Sequence, residues 1–252
     1  MSGWAATLDL SLDRQRVLDV ARHRRWPTDD LGYLAHTVVA EGWGDWAPQP
    51  FACAADDARI VVRGRVTGFS PRVRDGASPE VARALGGYVV QPVAGVDAHR
   101  ALRVGTVLSI ASVVCPTVRL ASACGPYGKG AEVDAWQAAV TRGTTPADAP
   151  RDAVYTAWFV GRLGPAFEVR DVAVSEAALP QRVRRDTRGR RAPVTMQSSE
   201  AVCWALVAVR DVEAAEALIA RGIGRHRAFG LGWVGVRDGV ARPDPWDPRP
   251  LR

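Results

Sequence analysis

The sequence predicts an α+β fold in two similar halves. Three observations carry that expectation. Period-two apolar runs alternate with stretches of helical period along most of the chain. Hydrophobic residues make up 47% of the 252, enough for a packed core and too many for a disordered chain. No apolar run reaches the roughly 18–20 residues that a bilayer-spanning helix needs, so the periodic segments are read as parts of globular halves.

Residues 4–10 read as a strand, with Trp4, Ala6, Leu8 and Leu10 on one face. Residues 14–25 are basic and are expected to be irregular. The clearest helix signal comes next. Thr28 is the expected N-cap, Asp29 and Asp30 occupy the first turn, and Leu31, Leu34, Ala35, Val38 and Val39 form one apolar stripe. Gly42 and Gly44 end it, and residues 43–51, with Pro48 and Pro50, form a loop. Residues 60–66 read as a strand carrying Arg63 and Arg65 on one face. Residues 70–80 are a surface loop, 80–85 a short helix and 103–114 strand-like.

Residues 116–130 hold Pro116, Gly125, Pro126, Gly128 and Gly130 and are read as a linker or arm. Helices are expected at 132–142 and 151–163, separated by a breaker cluster at 143–150. Residues 167–174 alternate as a strand, and the nearly all-apolar 202–209 reads as a central strand. Asp211 caps a helix with Val212, Ala215, Leu218 and Ile219 on its apolar side. A glycine-rich loop, a strand at 231–236 and a Pro-rich tail from Arg242 complete the chain. The expected division is 1–121 and 122–252, two tandem ferredoxin-like (RRM-like) domains.

Net charge is +6 with a pI near 9.7, and Lys129 is the sole lysine. An arginine excess of this kind fits an acidic partner, and a GC-rich genome would also produce it. Cys53, Cys115, Cys124 and Cys203 show no C-x-x-C spacing and no accompanying histidine cluster, so no zinc site is expected. A reduced, cytoplasmic setting fits that usage. The first residues lack the basic start and long apolar segment of a signal peptide.

Three segments carry chemistry. The first is Gly222-Ile223-Gly224-Arg225-His226-Arg227-Ala228-Phe229-Gly230-Leu231-Gly232, in which four glycines and three basic side chains share eleven residues. Bare backbone allows close approach of a ligand, and guanidinium groups match phosphate. The loop is not a dinucleotide fingerprint, because it follows a helix and lacks a glycine three after Gly224. It also lacks the Gly-Lys-Ser/Thr of a P-loop. A helix C-cap explains Gly222 alone. The second segment is the early helix. At 100° per residue Tyr33 and His36 fall opposite the apolar stripe and are neighbours, a pair able to move protons or simply a solvated face. The third is residues 181–191, whose six arginines are Arg182, Arg184, Arg185, Arg188, Arg190 and Arg191. Such a run is either a solvated loop or a contact to nucleic-acid backbone.

Taken together, the glycine loop, the Tyr33-x-x-His36 helix, the 202–209 strand leading through Asp211 into the loop, and the Glu132-Val133-Asp134-Ala135-Trp136 and arginine segments resemble the CRISPR repeat-processing endoribonucleases of the RAMP superfamily. The likeness is greatest to the CasE type and runs in order over most of the chain. It implies two ferredoxin-like domains that bind repeat RNA across one face and the cleft. It further implies metal-independent cleavage at the base of the stem-loop, with no cofactor. The 2′-OH attacks the adjacent phosphate and leaves a 2′,3′-cyclic phosphate and a 5′-OH. The residues this points to for catalysis are His36, Tyr33 and Arg227. Those for RNA binding are the six arginines of 181–191 with Gly222, Gly224, Arg225, His226, Gly230 and Gly232. Implied partners are repeat RNA or crRNA and other subunits of a type I-E-like surveillance complex, with no membrane. Two alternatives stay open: a non-catalytic RAMP-type RNA-binding subunit, and a type IV-system processor that uses arginines. The chain departs from compact CasE proteins by extra sequence near 70–100, 116–131 and the tail.

Overall fold

A computed structural model describes residues 6–66, 73, 75–86, 88–92, 102–178, 181–184, 194–197 and 199–239. The first half opens with strand β1 (Ala6–Asp13) and helices α1 (Arg14–His23) and α2 (Leu31–Trp43). The antiparallel strands β2 (Phe51–Ala55) and β3 (Arg59–Val66), helix α3 (Pro79–Ala84) and strand β4 (Val89–Pro92) follow. Its sheet has the order β2-β3-β1-β4. The second half begins with β5 (Val107–Val114) and a small hairpin of β6 (Thr117–Arg119) with β7 (Glu132–Asp134). Helices α4 (Ala135–Thr141) and α5 (Arg151–Leu163) lead to β8 (Phe167–Ala178). A ribbon of β9 (Gln181–Arg184) and β10 (Val194–Gln197) precedes β11 (Glu200–Val209), α6 (Val212–Arg221) and β12 (Gly235–Asp238). The second sheet has the order β12-β5-β11-β8.

Counted within each half, the two strand orders are the same order read from opposite edges. Every pairing is antiparallel. This is the duplicated ferredoxin-like plan the sequence implied. Helices cover one face of each sheet because each strand alternates. In the first half Leu10, Leu12, Ile60 and Val62 meet Val17, Leu34, Val38 and Val81. In the second, Leu108, Ile110, Ala205 and Val207 meet Tyr155, Phe159, Leu218 and Ile219.

Several expectations are corrected. Residues 14–23 are helical: Asp13 caps the Arg16 amide at 3.0 Å, and Val17, Val20 and Ala21 bury one side while the basic residues face outward. The cap of α2 is Asp30, whose carboxylate accepts from the Tyr33 amide at 3.0 Å, and Thr28 lies outside the helix. The supposed linker at 116–130 holds β6, which pairs with β7 just beyond it, and the hairpin is pinned by a small cluster of Leu120, Val133 and Ala138. Residues 132–134 are therefore strand, and α4 starts at Ala135, capped by Asp134. The last strand begins at Gly235 instead of residue 231. The expected division at 121 does not follow the sheets, because β5 pairs with β11 and β12 in the second one.

Candidate functional site

The glycine-rich loop lies between the two halves. Its first residue, Gly222, ends α6 with φ +78°, and its amide donates to the Leu218 carbonyl at 2.8 Å. The loop closes on itself where the Ile223 amide donates to the Gly232 carbonyl at 2.8 Å, and the Gly232 amide donates to Val113 of β5 at 2.6 Å. Glycine is required at that closure: a Cβ on Gly232 would lie 2.1 Å from the Ile223 carbonyl oxygen, and φ there is +72°. Between these ends a single 3-10 turn, Arg227–Phe229, is preceded by His226 in the left-handed region at φ 58°.

That turn packs on α2. The approach is close enough that a Cβ on Gly32 would meet the Phe229 carbonyl oxygen at 2.1 Å. Phe229 sets its ring 4.9 Å from the His36 imidazole and 6.2 Å from that of His226, centroid to centroid. The structure therefore brings His36 and the loop together. His36 is half-buried, and burial lowers its pKa below the usual 6.5, so the imidazole is neutral at neutral pH.

Tyr33 does not share this site. It is 2% exposed, packs edge-on to Trp26 at 6.4 Å and belongs to the core of the first half. The helical count put it opposite the stripe, but α2 is buried on more than one side. The sheet covers Leu34, Ala35 and Val38, and the segment after α1 covers Tyr33.

The other side of the loop is basic. Arg119, Arg162, Arg221, Arg225 and Arg227 line a cavity of about 410 Å³ together with Thr117 and Gly222–Gly224. Arg225 pairs with Glu132 at 2.8 Å, and Arg227 donates to the Arg221 carbonyl at 2.6 Å, capping α6. Burial, then the nearby charges of Arg221 and Arg225, lower the pKa of Arg227 from the usual guanidinium value. An arginine still carries its charge at neutral pH. Arg119, Arg162 and Arg221 were not singled out in the sequence. Isolated arginines at a strand end and in two last helical turns give no signal until the fold collects them.

Of the arginine segment, Arg182 and Arg184 lie on β9, opposite Met196 and Val194, and β9 runs beside α2. Arg185, Arg188, Arg190 and Arg191 fall outside the described residues, as does His99. His23 is exposed on α1, facing a separate cavity shared with α3. Among the described residues no group of three or more His, Cys, Asp or Glu side chains could hold a metal ion. The cysteines form no disulfide, and burial pushes the Cys203 thiol up to about 12. No described helix is long and apolar enough to cross a membrane.

The family model described as CRISPR associated protein matches residues 78–237, more than half of the chain. The chain belongs to that family. This CRISPR-associated protein also shares its fold with solved structures of low identity. It is similar to the CRISPR endoribonuclease Cse3 bound to 19 nt RNA, with a TM-score of 0.61 at 20% identity over 92% of this chain and 99% of the other. It is similar to Cas6e from Escherichia coli str. K-12, with a TM-score of 0.50 at 16% identity over 92% and 99%. A chain of a CRISPR RNA-guided surveillance complex, pre-nicking, gives a TM-score of 0.54 at 16% identity over 91% and 98%. No curated protein matches this CRISPR-associated protein significantly.

Proposed function

We propose that the protein is a metal-independent endoribonuclease that cuts CRISPR repeat RNA at the base of its stem-loop and remains with its product as a surveillance-complex subunit. One observation carries this reading: His36 of α2 packs against Phe229, in the same eleven-residue loop that presents Arg225 and Arg227. The fold shared with RNA-bound Cse3 and with a chain of a surveillance complex supports it.

Cleavage by the 2′-OH needs a group to take the hydroxyl proton, a group to protonate the departing 5′-oxygen, and positive charge at the crowded phosphorane. A neutral, half-buried imidazole fits the first task. Electrons flow from the 2′-oxygen to phosphorus as His36 takes its proton. The bond from phosphorus to the 5′-oxygen then breaks and that oxygen takes a proton from water, producing a 2′,3′-cyclic phosphate and a 5′-OH. Arg227, one short turn from Phe229, supplies the charge. The buried phenol of Tyr33 takes no part in this scheme beyond positioning α2.

The test is repeat RNA incubated with protein in EDTA. Wild type is expected to cut once and to leave a cyclic phosphate end. His36→Ala is expected to lose about 10²–10⁴-fold in rate, the usual worth of a proton-transfer group, while RNA affinity stays near wild type. RNA that is bound but uncut by wild type would make the protein a scaffold subunit instead.

A further inference from the structure

The arginine cavity lies on the α6 side of the loop, formed with β6 and α5. Among its described lining residues there are five guanidinium groups, and the one ion pair recorded there is Arg225 with Glu132. Five positive charges against one negative leave an excess of four. Arg119, Arg162, Arg221 and Arg225 are all exposed at its walls. Local roles account for part of this set. Arg162 and Arg221 sit in last helical turns, where cations are favoured, and Arg227 caps a carbonyl. Those roles do not explain why two helix ends, a strand end and a loop bring their arginines to one cavity, nor Arg119.

The walls are rigid. The Trp158 indole donates to the Thr117 carbonyl at 3.0 Å, and the Arg162 guanidinium lies over its ring at 5.2 Å. A Cβ on Gly224 would sit 3.1 Å from the same ring, so the loop backbone packs directly on the indole. This holds Arg162 and the loop in fixed relation, and planar guanidinium forks held so match phosphate oxygens. The lining has little apolar surface to receive a base, only Leu218 and Ile223.

We propose that this cavity is an anchoring subsite for the phosphodiester backbone of RNA, distinct from the place where His36 acts. The inference rests on the RNA-processing reading above. The loop then has two tasks: Phe229 and Arg227 serve the place where His36 acts, and Gly222–Arg225 holds a stretch of backbone away from the scissile phosphate. Arg119 and Arg162 belong to the second task alone.

The experiment compares wild type with the Arg119→Ala/Arg162→Ala double variant, after matching melting temperatures show that both fold. Binding of labelled repeat RNA is measured across a salt series, with single-turnover cleavage at saturating protein. The log–log salt slope is expected to become shallower by about 0.7 for each lost single-strand phosphate contact. Affinity should fall while the saturated cleavage rate stays within about twofold of wild type, as for a group that contributes uniform binding. Wild-type binding with an unchanged slope in the variant would overturn the subsite and leave the RNA reading intact. Absence of RNA binding by wild type would overturn both. Pyrophosphate raising the melting temperature of wild type but not of the variant, without any change in RNA affinity, would assign the cavity to a free anion and overturn the RNA assignment.

Discussion

His36 is placed by two contacts of different kinds, its own helix and the ring of Phe229, and its burial between the halves sets its proton affinity. Burial disfavours the imidazolium, so the folded protein holds this proton less tightly than the unfolded chain does. Two consequences have definite signs. As a general base, His36 is active when neutral, so the acid limb of the cleavage profile should break below the ordinary 6.5 and the rate should be flat through neutrality. A break above that value in single-turnover rates would assign the limb to another group. The same depressed pKa makes its contribution to stability full above about 6.5 and declining as pH falls from there toward the folded value. His36→Phe, which keeps a ring against Phe229 and removes the titration, should flatten that part of the stability–pH curve. Denaturation midpoints measured across the acid range would show it, and an unaltered curve would mean that His36 does not carry the dependence.

The loop works as an element because its backbone is packed from both sides. Gly32 of α2 meets Phe229 from one side and Trp158 meets Gly224 from the other. Gly32→Ala forces a methyl into the Phe229 carbonyl, an overpacking that costs about 1–3 kcal/mol where the chain must shift. The expected outcome is a modest loss of stability with a larger loss of cleavage, because Phe229 moves from His36. Equal losses in urea midpoint and in single-turnover rate would contradict it. The loop was legible in the sequence because glycines and basic residues coincide there, and α6 was legible from Asp211 and its stripe. Helix α1 was not, because its basic outer face outnumbers Val17, Val20 and Ala21. Strands β6 and β7 are three residues each and sit beside Pro and Gly, so no period-two pattern has room to show. Tyr33 was misplaced because a stripe count presumes one buried face, and only tertiary packing tells a helix that it has more.

On the scale of the molecule, the duplicated plan was readable as two runs of alternating strands and helices, but not the point of division. A continuous apolar strand such as β5 carries no mark of which sheet it joins. What no pattern could show is the joint between the halves, and there Arg65 does the holding. Read from the sequence as one of two arginines on a strand face, it is 2% exposed. Its guanidinium donates to the Val234 carbonyl at 2.7 Å, across to the other half, and lies 5.2 Å from the Trp233 ring. Its neighbour Arg63 instead pairs with Asp9 within the first sheet at 2.6 Å. Beside this strut, Gly222 and Gly230 bring the loop against Pro50, Phe51 and Cys53 of the first half. Arg65→Leu keeps apolar bulk and removes the donor, leaving the Val234 carbonyl without this partner. A lost buried hydrogen bond to a charged group costs about 1.5–3 kcal/mol, which for a chain of this size corresponds to a fall of about 3–12 °C in Tm. Because His36 rides on one half and the loop is anchored by β12 on the other, the same change should slow cleavage at saturating protein. Arg63→Leu, which removes a half-buried arginine from the same strand and breaks the ion pair with Asp9 inside the first sheet, serves as the comparison. A variant at Arg65 that lost stability and still cleaved at the wild-type rate would show that the loop alone fixes the geometry at His36.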